Sequence, residues 1–295
     1  MKKIIVKFQG GLGNQLYDYA FYKWLRKEYP EYEVLADLTY YKIRTAHGEL
    51  GIWKIFPRLY LQVASNWEVF KYSGQIPIVY GHKGADRLNS IRIAINNILF
   101  TKRKNLYISK VSNDTCDNVR SAIKNEQIFL EGYWQNIDFI KDSLCQIRAD
   151  LKFSEECNKF ITSDMLLDNA VALHVRRGDY VGSKYEKEVG MSYYKKAIQL
   201  VQEKVPNAKF FIFSDDKEYV KKAFDWLKNK TIVVGYDNEL AHIDMFLMSK
   251  MRNMIIANST FSLWSAYLNE NRDLLVVYPN VKTLDRKTFT TWIGV

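Results

Sequence analysis

The chain has 295 residues, a formal net charge of +10 and 15% aromatic residues, including 20 Tyr and 7 Trp. That length allows two domains with buried cores, and the positive balance favours an anionic partner such as a nucleotide, a membrane surface or nucleic acid. Three cysteines, Cys116, Cys145 and Cys157, are an odd number without metal-type spacing, which excludes a disulfide framework and reads as free thiols.

No stretch approaches the length of a membrane span, and the apolar run that opens the chain is too short for a signal peptide. The expectation is a cytoplasmic protein, soluble or peripheral on the inner face of the cytoplasmic membrane. In chain order, residues 3–8 read as a strand, broken by Gln9-Gly-Gly-Leu-Gly13, with Asn14 capping a helix over 15–27. On that helix Leu16, Ala20 and Trp24 form one apolar row and Tyr17, Phe21 and Leu25 the next, which puts Asp18, Tyr22 and Arg26 outside. A second strand over 32–36 ends at Asp37, completing the opening of a doubly wound sheet.

Residues 39–115 carry weaker signals. His47-Gly-Glu-Leu50 is a turn, 60–63 and 76–80 suit short strands, and 87–100 suits a helix. Lys83, Arg87, Arg92, Lys102, Arg103 and Lys104 make that last stretch a basic amphipathic segment, suited to an anionic membrane or to plain solvation. A strand over 127–133 and a helix over 137–147 close the first half, and a seam belongs in 150–169. The boundaries expected are a first domain over 1–155, a second over 156–280, and a tail over 281–295 that crosses back to the first. The second half alternates strands at 170–175, 209–213, 231–234, 254–256 and 274–277 with helices near 191–204, 217–228, 239–250 and 261–269. That alternation is the pattern of a parallel sheet covered on both faces.

Three strand ends of this second sheet carry groups suited to a nucleotide diphosphate. In Val171-Ala-Leu-His-Val-Arg-Arg-Gly-Asp-Tyr180 the alternation places His174 and Arg176 on one face of the strand. Two guanidinium forks at a strand end accept phosphate oxygens, although a surface ion pair explains such residues equally well. After Phe211-Ile-Phe, Ser214-Asp-Asp216 offers carboxylates that can read guanine, bind a metal or cap the next helix. Asn258-Ser-Thr-Phe-Ser262 opens a helix with free N–H groups and hydroxyls, suited to phosphate or to capping alone. The chain has no Asp-x-Asp sequence, the nearest being Asp237-Asn-Glu239, which argues against a metal-bridged diphosphate. Gly11-Leu-Gly13-Asn-Gln-Leu16 with Asp37 is a partial dinucleotide fingerprint lacking its third glycine. An NAD-type enzyme and a non-catalytic nucleotide-binding module are therefore the competing readings. Nucleic acid is not expected as a partner, because no nucleic-acid fold motif accompanies the charge.

Taken in order, these residues resemble the α-1,2-fucosyltransferases of glycosyltransferase family 11. The resemblance is carried by Gly10-Gly-Leu-Gly-Asn-Gln15, His47 with Glu49-Leu50, Gly132-Tyr-Trp-Gln135, His174-Val-Arg-Arg-Gly-Asp-Tyr180, Phe213-Ser-Asp-Asp216 and Asn258-Ser-Thr-Phe-Ser262. Two residues depart from the family's usual pattern: Asp18, where Gln is usual, and Leu263, where an aromatic precedes Trp264. The resemblance implies an α/β fold of the GT-B type, two Rossmann-like doubly wound domains facing across a cleft. It implies inverting transfer of fucose from GDP-β-L-fucose to the 2-OH of a galactoside, an oligosaccharide or lipid-linked glycan, with no metal or other cofactor. Arg176 and Arg177 would stabilise the departing diphosphate. Gly11, Gly13, Asn14, His174, Asp215, Asn258, Ser259, Thr260 and Phe261 would bind the donor, with Asp215 reading guanine. Asp18, Asp37, His47, Glu49, Trp134 and Gln135 are the acceptor-side candidates.

Overall fold

The computed structural model describes residues 2–42, 51–74, 91, 105–233, 240–281 and 291–295. The chain divides into two compact units, Met1–Lys152 and Phe153–Val295. The first holds a parallel sheet of β1 (Lys2–Lys7), β2 (Tyr32–Asp37), β3 (Leu106–Ile108) and β4 (Phe129–Glu131) in the order β2-β1-β4-β3. Ile4, Ile5 and Val6 are fully buried, as a strand covered on both faces requires. The chain crosses from β1 to β2 on one side and later returns to β4 on the other. The turn after β1 therefore lies beside the turn after β4, the position at which open α/β sheets bind ligands.

The helix after β1 runs over Leu12–Glu28 with Gly11 as its N-cap. Asn14 is not the cap. It sits in the first turn and donates its N–H to the Gly11 carbonyl (2.9 Å), as Gln15 does at 3.0 Å. Gly10, at φ +82°, sets up this early start, and a Cβ there would stand 2.7 Å from Asn14 Nδ2. The expected outer side of the helix is also corrected, since Asp18 and Tyr22 are both fully buried. Residues 51–64 cover that side: Gln15 Oε1 accepts the N–H groups of Gly51 and Ile52 (3.0 and 3.3 Å), and the Tyr22 hydroxyl accepts that of Gln62 (3.2 Å).

Several weak expectations resolve differently. The strand at 60–63 reduces to one bridge, Ala36 to Val63. The helix expected over 137–147 becomes two 3-10 turns, Ile137–Phe139 and Lys141–Ser143, then a helix over Leu144–Asp150. The Asn136 side chain accepts the Asp138 N–H (2.9 Å) and so starts a short turn there. The strand expected at 76–80 and the helix expected at 87–100, Ile91 apart, lie outside the described residues.

The second unit holds β5 (Ala170–Val175), β6 (Lys209–Ser214), β7 (Lys230–Ile232), β8 (Asn253–Ile255), β9 (Leu275–Tyr278) and β10 (Trp292–Gly294), all parallel, in the order β10-β9-β8-β5-β6-β7. Numbered within the unit this is the doubly wound order, with the reversal between its first and fourth strands, β5 and β8. All six β5 residues are buried. Their packing partners include Tyr193, Ile198 and Val201 on the helix Met191–Lys204. Trp292–Gly294 pairs in parallel with β9, because its backbone satisfies the open edge of that strand.

Asp18 gives this core a pH signature. Its Oδ2 accepts the Gln9 N–H (2.8 Å), while Oδ1 has no hydrogen-bond partner among the described residues. Burial is the leading cause of a pKa raised well above the usual carboxylate range, against which the Gln9 bond works. A folded-state pKa above the unfolded one means that the stabilising contribution is complete at acid pH and is lost as pH rises. Asp18→Asn keeps an acceptor for Gln9 and removes the titration. The variant should melt higher than the parent at pH 8, with the difference shrinking toward pH 4; equal melting curves at pH 8 would refute the assignment.

Candidate active site

The carboxyl edge of the second sheet is organised around Asp215. β5 ends at Val175 and β6 at Ser214, neighbours in the register, so Arg176 and Asp215 leave adjacent strands at the same height. Asp215 Oδ2 pairs with Arg176 Nη1 at 2.7 Å, and Oδ1 accepts the backbone N–H of Arg177 at 2.8 Å. Gly178 makes this approach possible, because a Cβ there would stand 2.6 Å from Asp215 Oδ2. Asp179 takes the other edge of the Arg176 fork, accepting from Nη2 at 2.7 Å and from Nε at 3.1 Å. Both Asp215 oxygens are thus engaged in shaping the arginine turn, a role the sequence alone does not disclose. Asp216 follows the plain capping alternative, its side chain accepting the Tyr219 N–H at 2.9 Å.

The two arginines differ. Arg176 has one-third of its side chain exposed, whereas Arg177 is held inside. The Arg177 guanidinium lies 3.9 Å over the Tyr219 ring, pairs with Glu186 through Nη1, and has Asp216 at 3.8 Å. Glu186 belongs to a strap between Gly178 and Gly190 that is fastened at several points. Its second oxygen accepts the Gly182 N–H (2.7 Å), and Tyr180 stacks on Tyr185 at 5.1 Å and donates to the Asn258 carbonyl (3.1 Å). Beneath the strap is a cavity of about 150 Å³ lined by Arg176, Arg177, Tyr180, Glu186, Tyr219 and Asn258 among others. Glu186 and Tyr219 escape sequence reading because helical and loop geometry, not spacing, brings them to Arg177.

His174 and the turn after β8 complete the edge. His174 is 5% exposed, and burial first, then the charge of Arg176, lower its pKa to about 3. It is a neutral imidazole whose Nδ1 has no partner among the described residues, with Phe261 5.7 Å away. The Asn258 amide donates to Glu188 (3.2 Å) and to the Tyr185 carbonyl (3.4 Å), and its Oδ1 is buried without a partner among the described residues. Ser259 caps the helix Thr260–Tyr267 by accepting the Phe261 N–H (3.3 Å). Arg176, Arg177, His174, Asp215, Asn258 and Ser259 therefore gather at one end of one sheet, with Thr260 and Phe261 half-buried beside them.

In the first unit, Gln9 Nε2 donates to the Gly132 carbonyl (2.9 Å) and Gln135 Nε2 donates to Asn14 Oδ1 (2.9 Å), so the glycine turn and the Gly132–Gln135 turn form one patch. Gly11 and Gly13 shape the start of that helix. Asp18 and Asp37 are fully buried, and burial raises both carboxyls, so neither presents an oxygen to a substrate. Trp134, another acceptor-side candidate, is a core residue, fully buried and stacked on Phe21 at 4.0 Å. His47 and Glu49 lie outside the described residues.

The model of the family "Glycosyl transferase family 11" matches residues 3–294. The O-antigen biosynthesis glycosyltransferase WbnK of Escherichia coli is 29% identical, across 97% of this chain and 98% of that protein. An alpha-1,2-colitosyltransferase of Escherichia coli is 27% identical, across 99% and 96%. Among solved structures, NodZ alpha-1,6-fucosyltransferase soaked with GDP-fucose aligns with a TM-score of 0.50 and 12% identity, over 97% of this chain and 98% of that one. At that identity the likeness speaks for the fold, which is α/β and of the GT-B type. The family match spans nearly every described element of both units, from β1 to β10, and the chain belongs to glycosyl transferase family 11.

Proposed function

We propose that the chain transfers L-fucose from GDP-β-L-fucose to the 2-OH of a galactoside with inversion, without a metal, in the synthesis of a bacterial surface glycan. The observation that carries this reading is the Arg176 fork between Asp215 and Asp179 at the strand-order reversal of the second sheet. Family membership supports glycosyl transfer, and the O-antigen relative supports the glycan setting.

In this mechanism the donor diphosphate takes the place of Asp179 on Arg176, while Asp215 keeps the guanidinium aimed. As the bond from sugar C1 to the phosphate oxygen breaks, negative charge grows on the leaving group and Arg176 meets it with a preoriented cation. Arg177 acts through position: bolted to Tyr219 and Glu186, it holds the strap over the phosphate end. The cavity there is smaller than the roughly 300–1,000 Å³ of small-molecule sites, in keeping with a place for a phosphate group and not a whole nucleotide sugar. His174, neutral at physiological pH, offers a ring nitrogen as a hydrogen-bond partner to the donor. The acceptor 2-OH attacks the opposite face of C1 and forms the new glycosidic bond, and its proton passes to water or to a group outside the buried pair Asp18 and Asp37. Charge that develops early on the sugar makes little demand on a base.

A second donor is favoured by the colitosyltransferase relative, which makes transfer of colitose, a sugar lacking the 3-hydroxyl of fucose, the alternative at the same site. Incubation with each GDP sugar and a panel of galactosides in EDTA, with linkage read by NMR, should give an α-1,2-fucosyl product. Strict dependence on added metal, or hydrolysis without transfer, would overturn the proposal, and transfer of colitose alone would replace the donor. Arg176→Ala should lower kcat/KM by about 10²–10³-fold while the chain stays folded by circular dichroism, the scale seen when a charge-stabilising donor is removed. A fully active variant would remove Arg176 from the mechanism. Gly178→Ala drives a methyl into Asp215 and should approach the same loss with weaker GDP binding; wild-type kinetics would show that the bracket is dispensable.

A further inference from the structure

Residues 51–74 of the first unit build an outward face that neither the fold nor the donor site uses. The short helix Ile52–Ile55 buries Ile52 and Ile55 and leaves Trp53 41% exposed. Beyond it Phe56, Leu59, Leu61 and Ala64 point inward, while Tyr60 (67%), Val63 (44%) and Trp67 (68%) face water. Single exposed apolar residues are ordinary, but three aromatic rings and a valine on one short stretch are not.

The face is held rigid. Ala36 N–H donates to the Gln62 carbonyl (2.8 Å) and Ala64 N–H to the Ala36 carbonyl (2.9 Å), which lays 62–64 along the outer edge of β2. Ser65 and Glu68 form a capping box that starts the helix Asn66–Ser73, and the rings of Trp67 and Phe70 lie 5.6 Å apart. Its charge is one-sided. Lys54, Arg58 and Lys71 are exposed along it, and Glu68, the acid within the stretch, is consumed by Lys3 at 2.5 Å and by the Ser65 N–H at 2.8 Å.

Amphipathic Trp and Tyr rings next to cations match a bilayer boundary, where indole and phenol sit at headgroup depth and Lys or Arg meets anionic lipid. We infer that this face, centred on Tyr60, Val63 and Trp67 and flanked by Arg58 and Lys71, docks the protein on an anionic membrane surface. The inference does not depend on the donor or acceptor proposed above. A sugar platform fits less well, because Gln62 Nε2 is already bound to Glu33 at 2.5 Å and the Glu68 carboxylate is spent, leaving few groups to grip hydroxyls.

The test is co-sedimentation of the full chain with vesicles of phosphatidylcholine alone or mixed with phosphatidylglycerol. The parent should partition onto the anionic vesicles at least about fivefold better, and roughly 0.5 M salt should abolish the difference. A Tyr60→Ala/Trp67→Ala variant and an Arg58→Glu/Lys71→Glu variant should each lose about fivefold or more while keeping the parent's melting temperature. Lipid binding unchanged in both variants, or no preference for anionic vesicles, would overturn the assignment. So would a dimer in light scattering that Tyr60→Ala/Trp67→Ala converts to monomer without any vesicle binding, which would make a second copy the occupant.

Discussion

One carboxylate holds the candidate site together. Asp215 sits at the end of β6 and spends both oxygens on its neighbour strand, one on the Arg176 guanidinium and one on the Arg177 N–H. A hydrogen bond to a charged group is worth about 1.5–3 kcal/mol, so the bracket fixes the backbone turn and the cation together. Everything nearby follows from that fixation. Residue 178 must be glycine to let the carboxylate in, Arg176 is left facing outward, and Arg177 is turned inward against Tyr219. Without the bracket, two flexible arginines at a strand end would spread over many rotamers, and aiming either at a phosphate would cost side-chain entropy.

The first unit solves a different problem with the same topology. Its glycine turn and the Gly132–Gln135 turn meet at the strand-order reversal, tied by Gln9 and by the Gln135 to Asn14 bond. A helix buried on nearly all sides stands behind them, and Asp18 is the cost of that burial, an acid with one oxygen unpartnered among the described residues. Aromatic residues fill the space below, where Phe21 lies between Trp134 and Phe139. Among the described residues the Tyr and Trp side chains divide between cores, as at Tyr19, Tyr22, Trp134 and Trp264, and the surface, as at Trp53, Tyr60 and Trp67.

Much was readable in advance. The βα alternation of the second half is strong because buried parallel strands are short apolar runs bounded by turns, and the structure has strands at each of the expected places. His174, Arg176, Arg177, Asp215, Asn258 and Ser259 were recognisable as strand-end residues. The roles within that group were not, since Asp215 as a base reader and Asp215 as a bracket look identical in sequence. The stretch before residue 115 carries weak periodicity: the strand pattern at 60–63 yields one bridge, and the helix Asn66–Ser73 is marked in sequence by the capping box of Ser65 and Glu68 alone. Trp134 is an acceptor-side candidate by sequence and a core residue in the fold, a burial that no local pattern announces.

By itself the sequence determined the chemistry available: two arginines, a histidine and helix-opening hydroxyls at strand ends, a positive chain, and the ordered motifs of family 11. Those are local properties, because strand periodicity and turn residues act over a few positions. Only the tertiary structure decided how the groups divide the work. Strand order places the turn after β8 beside β5, although they are far apart in the chain. Burial neutralises His174, Asp215 turns one arginine out, and Tyr219 with Glu186 keeps the other in. The reason is physical: exposure, ion pairing and hydrogen-bond satisfaction depend on distance in space, and that distance exists only once the sheet has formed.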